Sequence, residues 1–542
     1  MLLFAQMGIA QTYEWESLDW IEPNYEQPYT IGKIEITADD EKVILGYYKE
    51  ELVMMEDTLF SEKEIGVFLA KLDANDNLLW LQTIAQVADE NSIGNIPTLI
   101  LDQSGNIYAS INYIDTLFIN SELFPAEEGN SFALLVFNPV GEFIHHIRME
   151  GNCSSWLRFR AISTDSIGNL YLLGGGGEPS DEPDTCYCSI GNEEISLVGW
   201  ERFTLKLHNN QLIWIKTFDG SGAIIENVGR YNYITGTSHY AADVSFDSLF
   251  IEYPNTYDYG AFMVQQDTAG NFIWAKYFGQ QGWDSHLQLL DIEVLGPNDI
   301  VLVGRSFTQS VPNRVYFENA PTLFGSPWGS DDYFLVNYDS LGNVKWHTIA
   351  KCDGWDRLIE ATHDENKNIY LAGTFTDQLF FADDTLNSYG TDDVMVLAFD
   401  SLGNELWAKH AGGTSIDQSK GISIDSENNL YVVGGSASAT STFGSLEHSL
   451  TEVSMFYAKM SPTAVAIPEF DAKSNSLQLY PNPTNSYLQL NQKGNKTIYN
   501  LLGEEVLKTT QTNIDVSLLP QGIYILQWEN QQKLFMKTNI EN

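Results

Sequence analysis

Two short stretches set an aromatic face beside a carboxylate. "GQQGWDSH" carries Trp283 and Asp284, and "KCDGWDR" carries Trp355 and Asp356. Asp417 follows in "GGTSIDQ". An indole face can stack on a sugar ring, and carboxylates are the hard oxygen ligands that Ca²⁺ takes. These five residues are the candidates for a glycan or Ca²⁺ site. An Asp that caps a turn and a Trp that packs a loop would leave the same letters. Four cysteines in 542 residues fit an exported chain with at most two disulfides. Cys153 bridged to Cys186 or Cys188 would pin the stretch between them, and a metal held by cysteines is not expected.

No spacing of a known catalytic machine occurs. HExxH, GxSxG, a Walker loop and CxxC are all missing, and the nine histidines are scattered. Sialidase-type propellers carry an SxDxGxxW box; here the run is Asp339-x-x-Gly342-x-x-x-Trp346, which does not match. No catalytic residue or cofactor is assigned, and Ca²⁺ is the one ion considered.

What must position these residues is a repeat. An apolar run, an Asp turn and a Trp strand recur as "YFLVNYDSLGNVKW", ending at Trp346, and "VMVLAFDSLGNELW", ending at Trp407. Related copies end at Trp80, Trp214 and Trp274. A second phrase reads "ISTDSIGNLYLLG", "ATHDENKNIYLAG" and "ISIDSENNLYVVG". Alternating or apolar runs of five to seven residues, cut by Asp, Gly and Asn, predict strand–turn–strand throughout. One period holds four strands, A to D. A–B pairs and C strands each recur seven times, whereas D strands that follow a C strand recur six times. The stretch "SLDWIEP" at the start, with Trp20, supplies the missing D strand. The fold class predicted is all-β: a seven-bladed β-propeller over 11–460, closed by an N-terminal strand, then a small β-sandwich. The Trp of each D strand is expected to pack blade on blade.

The units resemble the bacterial β-propeller repeat called SBBP, over Glu14 to Met460. That resemblance implies a fold and a surface or secreted protein, with no defined activity. The B–C connections are long, for example 176–200 and 376–391, and share one face with the D–A connections that hold Trp283, Asp284, Trp355, Asp356 and Asp417. Insertions gathered on one face predict a binding face there.

The period ends in a linker at 461–475. The segment 476–542 has "LQLYPNPTNSYLQL", "LLG" and "LLPQGIYILQW". Tyr480, Pro481, Asn482 and Pro483, then Gly503, then Leu519, Pro520, Gly522 and Tyr524, with Lys537 near the end, resemble the type A C-terminal sorting domain of the type IX secretion system of Bacteroidetes. The resemblance implies engagement of the translocon and its shuttle protein. The first ten residues read as the remnant of a signal peptide.

Charge is divided in the same way. The chain has 28 Lys and Arg against 73 Asp and Glu, a net charge of −45, while the last segment is neutral. A surface so acidic repels nucleic acid and anionic lipid, and no apolar run is long enough for a membrane span. The expectation is a secreted or cell-surface binding, adhesion or scaffold module that meets a glycan or a surface protein. The alternative is a secreted polysaccharide hydrolase or lyase with its site at the channel mouth. A cluster of acidic and basic side chains converging there would distinguish the two.

Overall fold

The computed structural model describes residues 12–463 and 479–538, apart from connections at 24–30, 88–97, 114–115, 120–121, 127–130, 152–157, 176–184, 191–192, 199–201, 220, 240–242, 253–258, 281–285, 308–313, 319, 327–330, 353–356, 383, 450–452, 491–492, 501–504 and 529–530. The chain divides into two compact units, Met1–Ala464 and Val465–Asn542. Every element among the described residues is a strand.

In the first unit, four-stranded antiparallel meanders recur. Their inner strands are Ile31–Ile36, Leu99–Leu101, Arg158–Thr164, Ser221–Val228, His286–Gly296, Arg357–His363 and Asp417–Ile424. One meander runs Arg357–His363, Ile369–Phe375, Asp393–Phe399 and Glu405–Gly413. Its two middle strands are buried along their whole length. Both faces are covered, which is why these strands read as continuous apolar runs rather than as alternation.

The turn letters act as a set. Asp364 accepts the backbone N–H of Asn368 at 2.8 Å, the Asn368 amide at 2.7 Å and the Tyr370 hydroxyl at 3.1 Å. Asp165, Asn169 and Tyr171 repeat the pattern, as do Asp425, Asn429 and Tyr431. One carboxylate thus fixes the spacing of Asp, Asn four residues on and Tyr six residues on.

The turn Gly and the strand Trp belong to each other across neighbouring meanders. The Trp346 indole N–H donates to the Ser401 carbonyl at 3.1 Å, in the turn of the next meander. Trp274 does the same to Ser340, and Trp214 to Thr268. In each such turn the Gly lies against that indole. A Cβ on Gly403 would meet Trp346 at 2.6 Å, and one on Gly342 would meet Trp274 at 3.0 Å. The Trp is scaffold, as expected.

The displaced strand is present, with one correction to its register. Tyr13–Pro23 pairs with Ser454–Pro462. The position that Trp407 holds opposite Ala398 falls to Ser17, opposite Lys459. Trp20 instead pairs with Phe456, where the neighbouring meander has His410 opposite Met395. No tight turn ties this strand to its partner, and the bulge between Trp15 and Ser17 repeats the one found at the same place in the other meanders.

Among the described residues, the long B–C insertions are hairpins rather than free loops. Gln378–Phe381 with Asp384–Asn387 pairs onto Val344–Cys352 of the preceding meander. Thr440–Phe443 with Leu446–Ser449 pairs onto Glu405–Gly413, and Thr116–Ile119 with Glu122–Pro125 onto Leu78–Val87. The first inner strand and the last are neighbours, because a Cβ on Gly421 would come within 3.4 Å of the Ile34 nitrogen. This all-β arrangement fits a propeller-like protein.

The second unit sets Leu479–Tyr480, Tyr487–Leu490 and Asn513–Asp515 in one sheet. Glu505–Thr509, Lys496–Asn500, Gly522–Trp528 and Gln531–Lys537 form the other. Leu488, Ile498, Ile514, Tyr524, Leu526 and Phe535 make one buried core from both sheets.

Candidate functional site

Of the residues singled out from the sequence, Asp417 is described and fully buried at the start of its inner strand. Its carboxylate accepts the Gly413 N–H at 2.7 Å and the Ser438 hydroxyl at 2.6 Å, with Ser441 at 3.3 Å. The Gly413 bond closes the connection between outer and inner strand, and Ser438 and Ser441 tie Asp417 to the connection that follows Leu430–Ser436. Asp393 is also fully buried beside it; burial pushes its carboxyl up to about 7, the Tyr389 N–H opposes this and Asp417 adds to it. Trp283, Asp284, Trp355, Asp356 and Cys153 lie outside the described residues. Cys186 and Cys188 are on the strand Thr185–Ile190, where the backbone of Cys188 pairs with Gly151.

Chemistry converges at a place the motifs did not mark. A cavity of about 270 Å³ is walled by inner strands of several meanders. Into it come Glu35, Glu226, Asp291, Glu293, Glu360 and His363. Strand register sorts the acids into two layers. Glu35, Glu226 and Glu293 sit opposite Val43, Tyr233 and Val301, which are equivalent positions. Asp291 and Glu360 lie in a layer two residues earlier, opposite Val303 and Ala372, and Lys33 shares that layer opposite Leu45. Two residues along a strand return to the same face, so both layers look inward.

Part of the cluster is structural. Asp291 accepts the Ala361 N–H at 2.8 Å and Glu360 accepts the Ile422 N–H at 3.1 Å, so each ties its strand to the next inner strand. Lys33 pairs with Glu360, and His363 Nδ1 meets Glu293 at 2.5 Å. Nothing among the described residues donates to the Glu35 carboxylate. Burial, then Glu360, pushes Glu35 up to about 8. Burial, then Glu293 and Asp291, takes Glu226 up to about 8. Asp291 rises to about 7 by burial and by Glu293. Burial works against a charge on His363, but Glu293 raises it overall. The wall therefore holds protons near neutral pH that a cation would displace. The signal for it was an acid in the middle of apolar inner strands, in "KIEI", "IIEN" and "DIEV".

In the second unit, the quoted motif residues mostly serve the domain itself. The Asn482 side chain donates to the Leu534 carbonyl at 3.1 Å and accepts the Met536 N–H at 2.9 Å, which holds the last strand. Tyr524 is buried, stacks on Phe535 and donates to the Pro520 carbonyl at 2.8 Å. Leu519 packs on the core, and Lys537 is buried. Gly503 lies outside the described residues. Residues 478–541 match the secretion system C-terminal sorting domain. With this sorting domain the chain is a secreted protein exported by the type IX system, destined for the extracellular space or the cell surface. No helix among the described residues is long and apolar enough to cross a membrane.

The larger unit has more distant likenesses. An uncharacterized WD repeat-containing protein of Acanthamoeba polyphaga mimivirus is 27% identical over 168 residues, 28% of this chain. The match spans 12% of that relative's length. A Synechocystis apocarotenoid oxygenase mutant aligns over 82% of this chain and 94% of its own, with 10% identity and a TM-score of 0.32. A eukaryotic initiation factor aligns over 80% and 98%, with 9% identity and a TM-score of 0.29. Likenesses this low carry nothing about activity.

Proposed function

We propose that the chain is a seven-bladed β-propeller of the SBBP type that works outside the cell as a binding module and not as a catalyst. Its ligand-binding position is the carboxylate-walled axis, and the ligand presents positive charge. The observation that carries this reading is the convergence of five carboxylates on one cavity against Lys33 and His363 alone among its described cationic partners. Recurring meanders whose inner strands share that cavity, with a last member that takes its outer strand from Tyr13–Pro23, support the propeller reading. The sorting domain recruits the translocon and its shuttle. Trp283, Asp284, Trp355 and Asp356 remain in this reading as glycan-binding candidates on the strength of their sequence alone.

Ca²⁺ is the simplest probe. A ligand that binds only the folded state raises stability by about 2.7 kcal/mol at a hundredfold excess over Kd. Thermal melts of the full chain in CaCl₂ should exceed those in NaCl of equal ionic strength, and Glu35→Gln with Glu226→Gln should abolish the difference. An equal response to both salts, or an unchanged response in the double variant, would sink the axial reading. The hydrolase alternative has one observation in its favour: burial favours the protonated form of Glu35 and Glu226 near neutrality, the state that the general acid of sugar hydrolysis requires. Release of reducing ends from a polysaccharide, lost in Glu226→Gln, would favour it.

A further inference from the structure

The sorting domain has one sheet face that its own core does not use. On Lys496–Asn500, Gly522–Trp528 and Gln531–Lys537, one set of alternating positions is buried: Ile498, Tyr524, Leu526 and Phe535, with the lysines Lys496 and Lys537. The other set faces outward. There Ile523 pairs directly with Met536, and Ile525 with Leu534 and Tyr499. Leu534 is 56% exposed, Met536 44% and Ile523 41%. Thr497 and Gln527 are the other described outward positions on these three strands, and the neighbouring strand Glu505–Thr509 sets Lys508 beside Thr497 and Glu505 beside Tyr499, an ion pair at the border of the strip. A strip of adjoining Ile, Leu, Met and Tyr is unfavourable to leave in water, and an apolar centre with a charged border has the composition of an interface.

The quoted motifs converge on this strip. Tyr524 turns inward from "LPQGIY", which leaves its neighbour Ile523 turned outward. Asn482 of "YPNP" binds the backbone of Leu534 and Met536 and so fixes the strand that presents them. We infer that this face, centred on Ile523, Leu534 and Met536, is the surface on which a protein component of the secretion machinery docks. The inference rests on the sorting-domain reading, which supplies the partner. The exposed apolar side chains supply the chemistry: an apolar patch on that partner.

The test is made on the full chain in its secreting bacterium, comparing the amount in the medium and on the surface with the amount retained. Ile523→Ser with Met536→Ser, and separately Leu534→Ser, should each lower export at least tenfold, with thermal melts of the purified chain unchanged. Ile523→Leu with Met536→Leu should restore export. Full export of the serine variants would overturn the docking face. So would a fall in melting temperature matching the fall in export, because the strip would then be covered within the folded chain or by a second copy. A chain cut after residue 475 tests the underlying reading separately. If that truncated chain is exported, the sorting assignment itself fails, whatever the serine variants do.

Discussion

Gly403→Ala is expected to destabilise the first unit by about 3 kcal/mol, against about 1 kcal/mol for Gly168→Ala. Both glycines sit in tight turns with left-handed backbones, at φ 80° and 78°. An alanine at either position carries the same conformational penalty, on the order of 1 kcal/mol. They differ in what lies above them. Nothing comes within 4 Å of a Cβ on Gly168, whereas one on Gly403 meets the Trp346 ring at 2.6 Å. That ring is held by its N–H bond to Ser401, so it cannot retreat without losing the bond. The added methyl therefore overpacks the junction, which costs about 2 kcal/mol more. Urea unfolding of the two variants beside the parent chain measures the difference. Equal shifts in midpoint would show that the Trp–Gly contact does not join the meanders.

Glu226→Gln is expected to act in the other direction. It should stabilise the first unit at pH 9 by about 2 kcal/mol and leave it unchanged at pH 4. In the folded chain Glu226 keeps its proton up to about pH 8, first because it is buried and then because Glu293 and Asp291 surround it. In the unfolded chain it ionises at the ordinary value of 4.5. Its favourable share of stability is whole below pH 4.5, declines as pH rises, and is gone above about pH 8. Glutamine cannot ionise, so the penalty at high pH disappears. The figure allows for solvent in the cavity. The turn aspartates have the opposite sign. Burial alone would raise Asp165, but Asn169 and the backbone donors outweigh it and hold it low. Its contribution is present at neutral pH and fades in acid. Thermal melts across pH 4 to 9 check both signs. A Glu226→Gln curve parallel to that of the parent chain would mean that the carboxyl does not titrate against its neighbours.

The strands and their turns were legible because Asp, Asn, Gly and Tyr recur at fixed local spacing, and local spacing is what one carboxylate can bridge. The need for a displaced first strand was legible from strand bookkeeping. Its register was not, because Trp20 imitates the repeat while Ser17 holds the Trp position. The cavity acids were hidden for a different reason. Glu35, Glu226 and Glu293 come from three inner strands far apart in the chain, and only strand register aligns them. That the long insertions are hairpins was not legible, because length alone does not reveal that a segment will pair with the neighbouring outer strand. Trp–Asp pairs drew notice as motifs, yet the described acid among the five, Asp417, is occupied by its own loop.

The pairing of Tyr13–Pro23 with Ser454–Pro462 has a consequence for the order of events. These strands are more than four hundred residues apart, so their contact has the largest loop-closure cost in the unit and belongs to the slow, non-local class of folding steps. The strand that receives the N-terminus is also the last before the segment leading to the sorting domain. The sheet that Tyr13–Pro23 joins cannot be completed until Ser454–Pro462 has been made, and the residues of the sorting domain begin at 478. Completion of that sheet and synthesis of the sorting segment are thus neighbouring events along the polypeptide.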